Sequence, residues 1–144
     1  MFGREEGMAH VSMETVLNTS ADNAWQVIGD FNGLPGFIPA ITASTLKGSG
    51  VGAERTLTFG DGSRMVERLE SLEGYSLSYS IVTSQLPLEG YLATMRVKEL
   101  GNNRCKLEWS SRFTPKGVSE AEAAGIIRGV YTAGFDGLRK LFGG

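Results

Sequence analysis

Cysteine and histidine are almost missing from this 144-residue chain, which carries only Cys105 and His10. One cysteine excludes an intrachain disulfide and any multi-cysteine metal centre, and it fits a reducing cytoplasm, the location expected. With a single histidine near the amino end, a Ser-His-Asp triad or a Cys-His pair would have to depend on His10, and no metal or other cofactor is expected. A surplus of one charge is missing too. Fourteen basic against sixteen acidic residues leave a net charge of -2, so no positive field marks nucleic acid or an anionic membrane as a partner. No apolar run is long enough for membrane insertion, and residues 1–7 carry acids without the apolar segment of a secretion signal. A disordered leader over 1–7 and one domain over 8–144 are expected. Apolar residues at 41% and only four prolines describe an ordinary globular chain.

Glycine, by contrast, is abundant. Twenty glycines divide the chain into segments of similar length. Met8 to Asn18 has strand composition, and Ser20 is a suitable N-cap for a short helix containing Ala24, Trp25, Val27 and Ile28. Phe31 to Ala40 is broken by Gly33, Pro35, Gly36 and Pro39, yet Leu34, Phe37, Ile38 and Ile41 are too apolar for a solvated loop, so a second packed helical turn is predicted there. From Ile41 to Thr114 the period is two, with strands predicted at 41–47, 53–59, 63–71, 75–84, 91–100 and 104–114. Ser119 with Glu122 forms a capping-box pattern ahead of a helix to about Phe142. The apolar stripe of that helix is Ile126, Ile127, Val130, Tyr131, Gly134, Leu138 and Leu141. The order of elements predicts an α+β chain, an antiparallel meander closed by a long carboxy-terminal helix.

Register follows from the need for apolar side chains to share one face. With Gly60-Asp61-Gly62 as a three-residue loop, Leu57 faces Met65, Arg55 faces Glu67 and Ala53 faces Leu69. With Leu72-Glu73-Gly74 as the next loop, Leu69 faces Leu77, Glu67 faces Tyr79 and Met65 faces Ile81. Alternation turns Tyr75, Leu77, Tyr79 and Ile81 inward on one strand, and Tyr91, Ala93, Met95 and Val97 on the next. The inner wall therefore gathers Arg55, Glu67, Tyr79 and Tyr91 among Leu57, Phe59, Met65, Leu69, Leu77, Ile81 and Met95. Two readings compete for these polar groups. Either Arg55 and Glu67 form a structural pair at the rim while the phenols reach water, or sheet and helix do not fully meet and the groups line a ligand cavity. Gly125, Gly129, Ala133, Gly134 and Gly137 bear on the choice, since a helix stripped of side chains either packs closely or leaves room.

Several local motifs resemble one superfamily. Ala24-Trp25-Gln26-Val27-Ile28-Gly29-Asp30-Phe31, Val51-Gly52-Ala53-Glu54-Arg55, Glu67-Arg68-Leu69-Glu70, Leu77-Ser78-Tyr79-Ser80-Ile81, Gly90-Tyr91 and Phe113-Thr114-Pro115, in this order, are similar to those of the START-related helix-grip proteins. The nearest branch is the bacterial SRPBCC, polyketide cyclase/dehydrase-like one, and the resemblance spans Met8 to Phe142. It implies a seven-stranded antiparallel sheet wrapped around the last helix, two short helices after the first strand, and an internal hydrophobic cavity. The ligand-facing positions it implies are Leu57, Phe59, Met65, Glu67, Tyr79, Ile81, Tyr91, Ala93, Ile126, Val130 and Gly134, with Arg55 and Trp109 added from the register and alternation. The abscisic-acid receptors are related, but their lysine is absent from Phe37-Ile38-Pro39-Ala40. Their gate and latch are replaced by Gly60-Asp61-Gly62 and Leu86-Pro87-Leu88, which remain candidate lids.

One conflict lies on the last strand. Alternation turns Cys105, Leu107, Trp109 and Phe113 inward, whereas the resemblance turns Glu108 inward, which would need a bulge at Ser110-Ser111. An outward Trp109 would instead mark an apolar contact and a homodimer. The expected function is binding of a small hydrophobic, lipid- or polyketide-like molecule as carrier or sensor. The alternative is a cofactor-free cyclase or dehydratase in which Glu67 serves as acid or base and Tyr79 and Tyr91 polarise a carbonyl. A third possibility is a chaperone-like partner using the outer sheet face.

Overall fold

The computed structural model describes residues 8–143, so the expected leader over 1–7 lies outside the described residues. The chain runs β1 (Ala9–Leu17), α1 (Ala21–Ile28), a 3-10 turn (Leu34–Gly36), β2 (Ile41–Lys47), β3 (Glu54–Phe59), β4 (Arg64–Glu73), β5 (Ser76–Thr83), β6 (Leu88–Gly101), β7 (Arg104–Pro115) and α2 (Glu120–Phe142). All seven strands form one antiparallel sheet in the order β1-β7-β6-β5-β4-β3-β2. Seven curved strands against one long helix are the helix-grip arrangement. The second expected helix is only a single 3-10 turn, because Pro35 and Gly36 give it no run of helix formers to extend through.

Both helices begin where the sequence indicates. Ser20 Oγ accepts the Asn23 amide at 3.1 Å, and Ser119 Oγ accepts the Glu122 amide at 3.1 Å, satisfying amides the first helical turn leaves free. Arg139 sits in the last turn of α2, where a cation suits the helix dipole. Its Nη1 donates to Thr15 Oγ1 at 2.6 Å and ties the helix end to β1. The buried face of α2 carries Ala123, Ala124, Ile127, Tyr131, Gly134, Phe135 and Leu138. The expected stripe is corrected at both edges. Leu141 is exposed at the frayed end, and Phe135, absent from the stripe, is buried against Trp109, their ring centroids 6.1 Å apart.

The β3–β4 register is the one expected, with Arg55 opposite Glu67 and Leu57 opposite Met65. The β4–β5 register is not. Leu69 pairs with Tyr79 and Glu67 with Ile81, displaced from expectation by two residues, because the loop is Gly74-Tyr75 and a bulge lies between Leu69 and Ser71. Gly74 takes the left-handed conformation (φ 57°) that a tight turn needs, and it opens the loop instead of closing it. Tyr75 therefore belongs to the turn instead of the strand's inner face. Its hydroxyl donates to Asp22 at 2.8 Å and its ring lies 5.8 Å from Trp25. Because strand faces repeat every two residues, the displacement leaves Glu67, Tyr79 and Ile81 on the face the alternation assigned.

On β7, Ser110 and Ser111 continue the regular pairing with Ser12 and Val11, so no bulge intervenes. Cys105, Leu107, Trp109 and Phe113 are buried inward, as alternation requires. Glu108 faces outward between Lys98 and Lys106, each 3.6 Å away, so the inward position implied by the resemblance is corrected. No helix among the described residues is long and apolar enough to cross a membrane.

Candidate functional site

Between α2 and the concave face of the sheet lies a cavity of about 350 Å³. Sheet curvature makes it. Strands β3 to β7 contribute one wall, α2 contributes Ile126, Ile127, Gly129, Val130 and Ala133, and the 3-10 turn and its exit contribute Leu34, Ile38, Ala40 and Ile41. Ile126 and Val130 are 39% and 40% exposed and both line the cavity. The cavity shares Ala40, Phe59, Met65 and Leu86 with an outer depression that also includes Pro39, Gly60, Asp61, Ser63, Arg64 and Gln85. Both candidate lids are thus at this mouth. Asp61 Oδ1 accepts from the Ser63 amide at 2.9 Å and its hydroxyl at 2.6 Å, which fixes the β3–β4 tip and holds the Asp61 carboxyl below its usual range.

Of the residues expected to face a ligand, Leu57, Phe59, Met65, Glu67, Tyr79, Ile81, Tyr91, Trp109, Ile126 and Val130 line this cavity. Arg55, Ala93 and Gly134 do not. Ala93 is buried in the core beside Tyr79, its pairing partner on β5. At Gly134 an added Cβ would come within 2.7 Å of Trp109 Cζ3, so the helix there is packed directly on the indole.

Arg55 lies behind Glu67. Its Nε donates to Glu67 Oε1 at 2.8 Å, its Nη2 is 2.6 Å from the same oxygen, and its Nη1 donates to the Phe31 carbonyl at 2.8 Å. The guanidinium carbon stands 3.9 Å from the Phe31 ring centre and 4.9 Å from that of Tyr79, so cation–π contact replaces water on its faces. Arginine is 3% exposed and the glutamate 5%, making a desolvated pair in which neither charge can be removed cheaply. Both donors from Arg55 take Oε1. Among the described residues the one sealed side-chain polar atom without a partner is Ser111 Oγ. Oε2, which no residue hydrogen-bonds, therefore keeps an open surface toward the void that Glu67 lines. Burial pushes the Glu67 carboxyl above its ordinary value, with Arg55 pulling the other way.

Beside the carboxylate runs a chain of phenols. Trp109 Nε1 donates to Tyr79 Oη at 3.1 Å, Tyr79 Oη lies 3.3 Å from Tyr91 Oη, and Tyr91 Oη lies 2.6 Å from Tyr131 Oη. Tyr131 reaches this group from α2, its ring stacked on Trp109 with centroids 4.1 Å apart. Burial raises all three phenols, Tyr79 and Tyr91 well above their usual value and Tyr131 to about 12, so each stays a neutral donor at physiological pH. Three phenol protons serve two phenol–phenol contacts, so one O–H has no acceptor within the trio. Ser111 Oγ borders Tyr131 and lowers its pKa somewhat, but it makes no hydrogen bond of good geometry.

The sequence does not assign Leu34, Ile38, Ala40, Ile41, Leu86, Ile127, Gly129 and Ala133 to the cavity, nor Tyr131 to the phenol chain beside it. The signals were partial. Tyr131 shares a helical face with Ile127, and the apolar stretch around Leu34 and Ile38 was already too hydrophobic for solvent, but neither pattern states which sheet residues lie opposite.

The family model for polyketide cyclase / dehydrase and lipid transport matches residues 8–143. An uncharacterised Bacillus thuringiensis protein of known structure is 36% identical, superposes with a TM-score of 0.88, and covers 93% of this chain and 98% of its own. XoxI from Bacillus cereus is also 36% identical, with a TM-score of 0.88 and coverage of 93% and 95%. The Zhui aromatase/cyclase from Streptomyces sp. R1128 shares the fold at 17% identity, with a TM-score of 0.76 over 91% of both chains. No curated protein matches the sequence. The match over nearly all the described residues, on a seven-stranded sheet gripping a terminal helix, means that the chain belongs to the polyketide cyclase/dehydrase and lipid transport family.

Proposed function

We propose that this protein binds one small hydrophobic molecule, lipid- or polyketide-like, in the cavity between sheet and α2, as a carrier or sensor. One observation carries the reading: a void of about 350 Å³ whose lining is apolar apart from one carboxylate and two phenol-bearing side chains. That volume falls in the ~300–1,000 Å³ range of small-molecule sites, and an apolar wall with few polar groups is what such sites use to bind and orient. A carboxylate anchored through one oxygen by Arg55 is a rigid acceptor, and a fixed acceptor orients a ligand at little entropic cost.

A second reading has its own support. Burial raises the Glu67 carboxyl and leaves Oε2 uncommitted, the state a general acid or base in a cofactor-free cyclase or dehydratase requires. Arg55 opposes that shift through two contacts to Oε1, and a carboxylate paired in this way favours binding over proton transfer.

Native mass spectrometry of freshly purified protein, with organic extraction of any passenger, tests the first reading. The expected result is one apolar molecule per chain, lost in Ala133→Phe, where the new ring fills the void while the protein stays folded. Equal retention by Ala133→Phe would place the passenger elsewhere and contradict the reading. For any molecule so identified, Glu67→Gln separates the two functions: turnover by the parent that vanishes while affinity persists marks catalysis, and absence of turnover marks carriage.

A further inference from the structure

The polar end of the cavity restricts the ligand further than size and apolarity do. We infer that the site selects neutral molecules bearing a hydroxyl, whether alcohol, phenol or enol, and discriminates against carboxylates; this rests on the binding function proposed above.

Arg55 spends Nε and Nη2 on Glu67 and Nη1 on the Phe31 carbonyl, its faces are covered by two rings, and it does not reach the cavity. Among the described residues no other arginine, lysine or histidine lines the void. An anion entering it finds nothing to neutralise it.

What the void does offer is one acceptor and one donor. The acceptor is Glu67 Oε2, buried with its residue and unpartnered. The donor is the O–H left over from the three phenols, which reaches the cavity when it is carried by Tyr79 or Tyr91. A hydroxyl meets both, donating to Oε2 and accepting from the phenol. A ketone or ether accepts only, leaving a buried carboxylate oxygen unpaired. A carboxylate cannot donate, and it brings a second negative charge into a space where burial has already removed the screening water. Glu67 makes its charge felt across this group, raising the pKa of both Tyr79 and Tyr131.

The experiment titrates the whole protein calorimetrically at neutral pH with three probes of one size: naphthol, its methyl ether, and naphthoate. Naphthol is expected to bind about tenfold more tightly than the ether, the worth of one hydrogen bond to a charged acceptor, and naphthoate more weakly than either. In Glu67→Gln the buried guanidinium loses its counter-ion, so naphthoate gains relative to naphthol and the gap narrows or reverses. Should that variant not fold, the parent order decides by itself. Naphthoate binding the parent as tightly as naphthol, or the ether matching it, overturns the hydroxyl selectivity and leaves the binding function standing. If none of the three binds, the binding function fails and the selectivity with it.

Discussion

The two halves of α2 contain the same kinds of residue and meet the sheet in opposite ways. Toward the carboxy end, a Cβ at Gly134 would stand 2.7 Å from Trp109 Cζ3, and one at Gly137 would stand 1.7 Å from the Phe37 carbonyl oxygen, so helix and core are in direct contact. Toward the amino end, a Cβ at Gly125 or Gly129 would meet nothing within 4 Å. Small residues thus bring the backbone close where a large partner stands opposite, and leave space where none does. The Trp109–Tyr131 stack marks the boundary, with Trp109 lining the cavity and Tyr131 fully buried behind it.

The same substitution must therefore change sign along the helix. Gly137→Ala should be the most damaging. The added methyl collides with a backbone carbonyl, and the ~1 kcal/mol gained in helix propensity does not offset a loss of about 3 kcal/mol from overpacking. Thermal melting would show a large drop; an unchanged Tm would mean the closed half is not closed.

Alkaline pH probes the buried phenols beside that boundary. Tyr131 has its folded pKa raised to about 12 from 10, so the folded state keeps a proton that the unfolded chain releases first. Stability is therefore complete below pH 10 and declines as pH rises toward 12, by roughly 3 kcal/mol from this residue alone, with Tyr79 and Tyr91 acting in the same direction. Of the four tyrosines only Tyr75 is exposed. A spectroscopic titration should accordingly give tyrosinate for one residue before unfolding and for three with it, and gradual titration of all four would refute the burial of the phenol chain.

Tyr131→Phe should cost about 1–2 kcal/mol in chemical denaturation, because the 2.6 Å contact to Tyr91 is lost from a buried site. Gly129→Ala has the smallest effect and the opposite sign, stabilising by about 0.5–1 kcal/mol because the methyl enters open space while the helix gains propensity. A destabilised Gly129→Ala would erase the difference between the halves.

Much of this architecture is legible in the sequence because period-two alternation is insensitive to modest errors of register. The β4–β5 pairing is off by two residues, yet Glu67 and Tyr79 still face inward, since an even displacement preserves faces. Trp109 and Glu108 divide between the two faces for the same reason. What alternation cannot supply is where a long side chain ends. Arg55 lies on the expected face, but its guanidinium turns to a carbonyl 24 residues away at Phe31 instead of into the cavity. Nor does helical periodicity fix the rotation of α2 against the sheet, which is why Tyr131 reads as stripe and not as the third member of a phenol chain. The glycines carry the same ambiguity: only the residue opposite decides whether they pack or leave room.

The central claim is that the amino-terminal half of α2 and the sheet enclose a space that an apolar molecule occupies. Heteronuclear NMR of the labelled protein titrated with naphthol tests it most directly. Saturable shifts should concentrate at Met65, Ile81, Ile126, Gly129 and Val130, with Gly134 and Gly137 little changed. Shifts scattered over the outer sheet face, or strongest around Gly137, would contradict it.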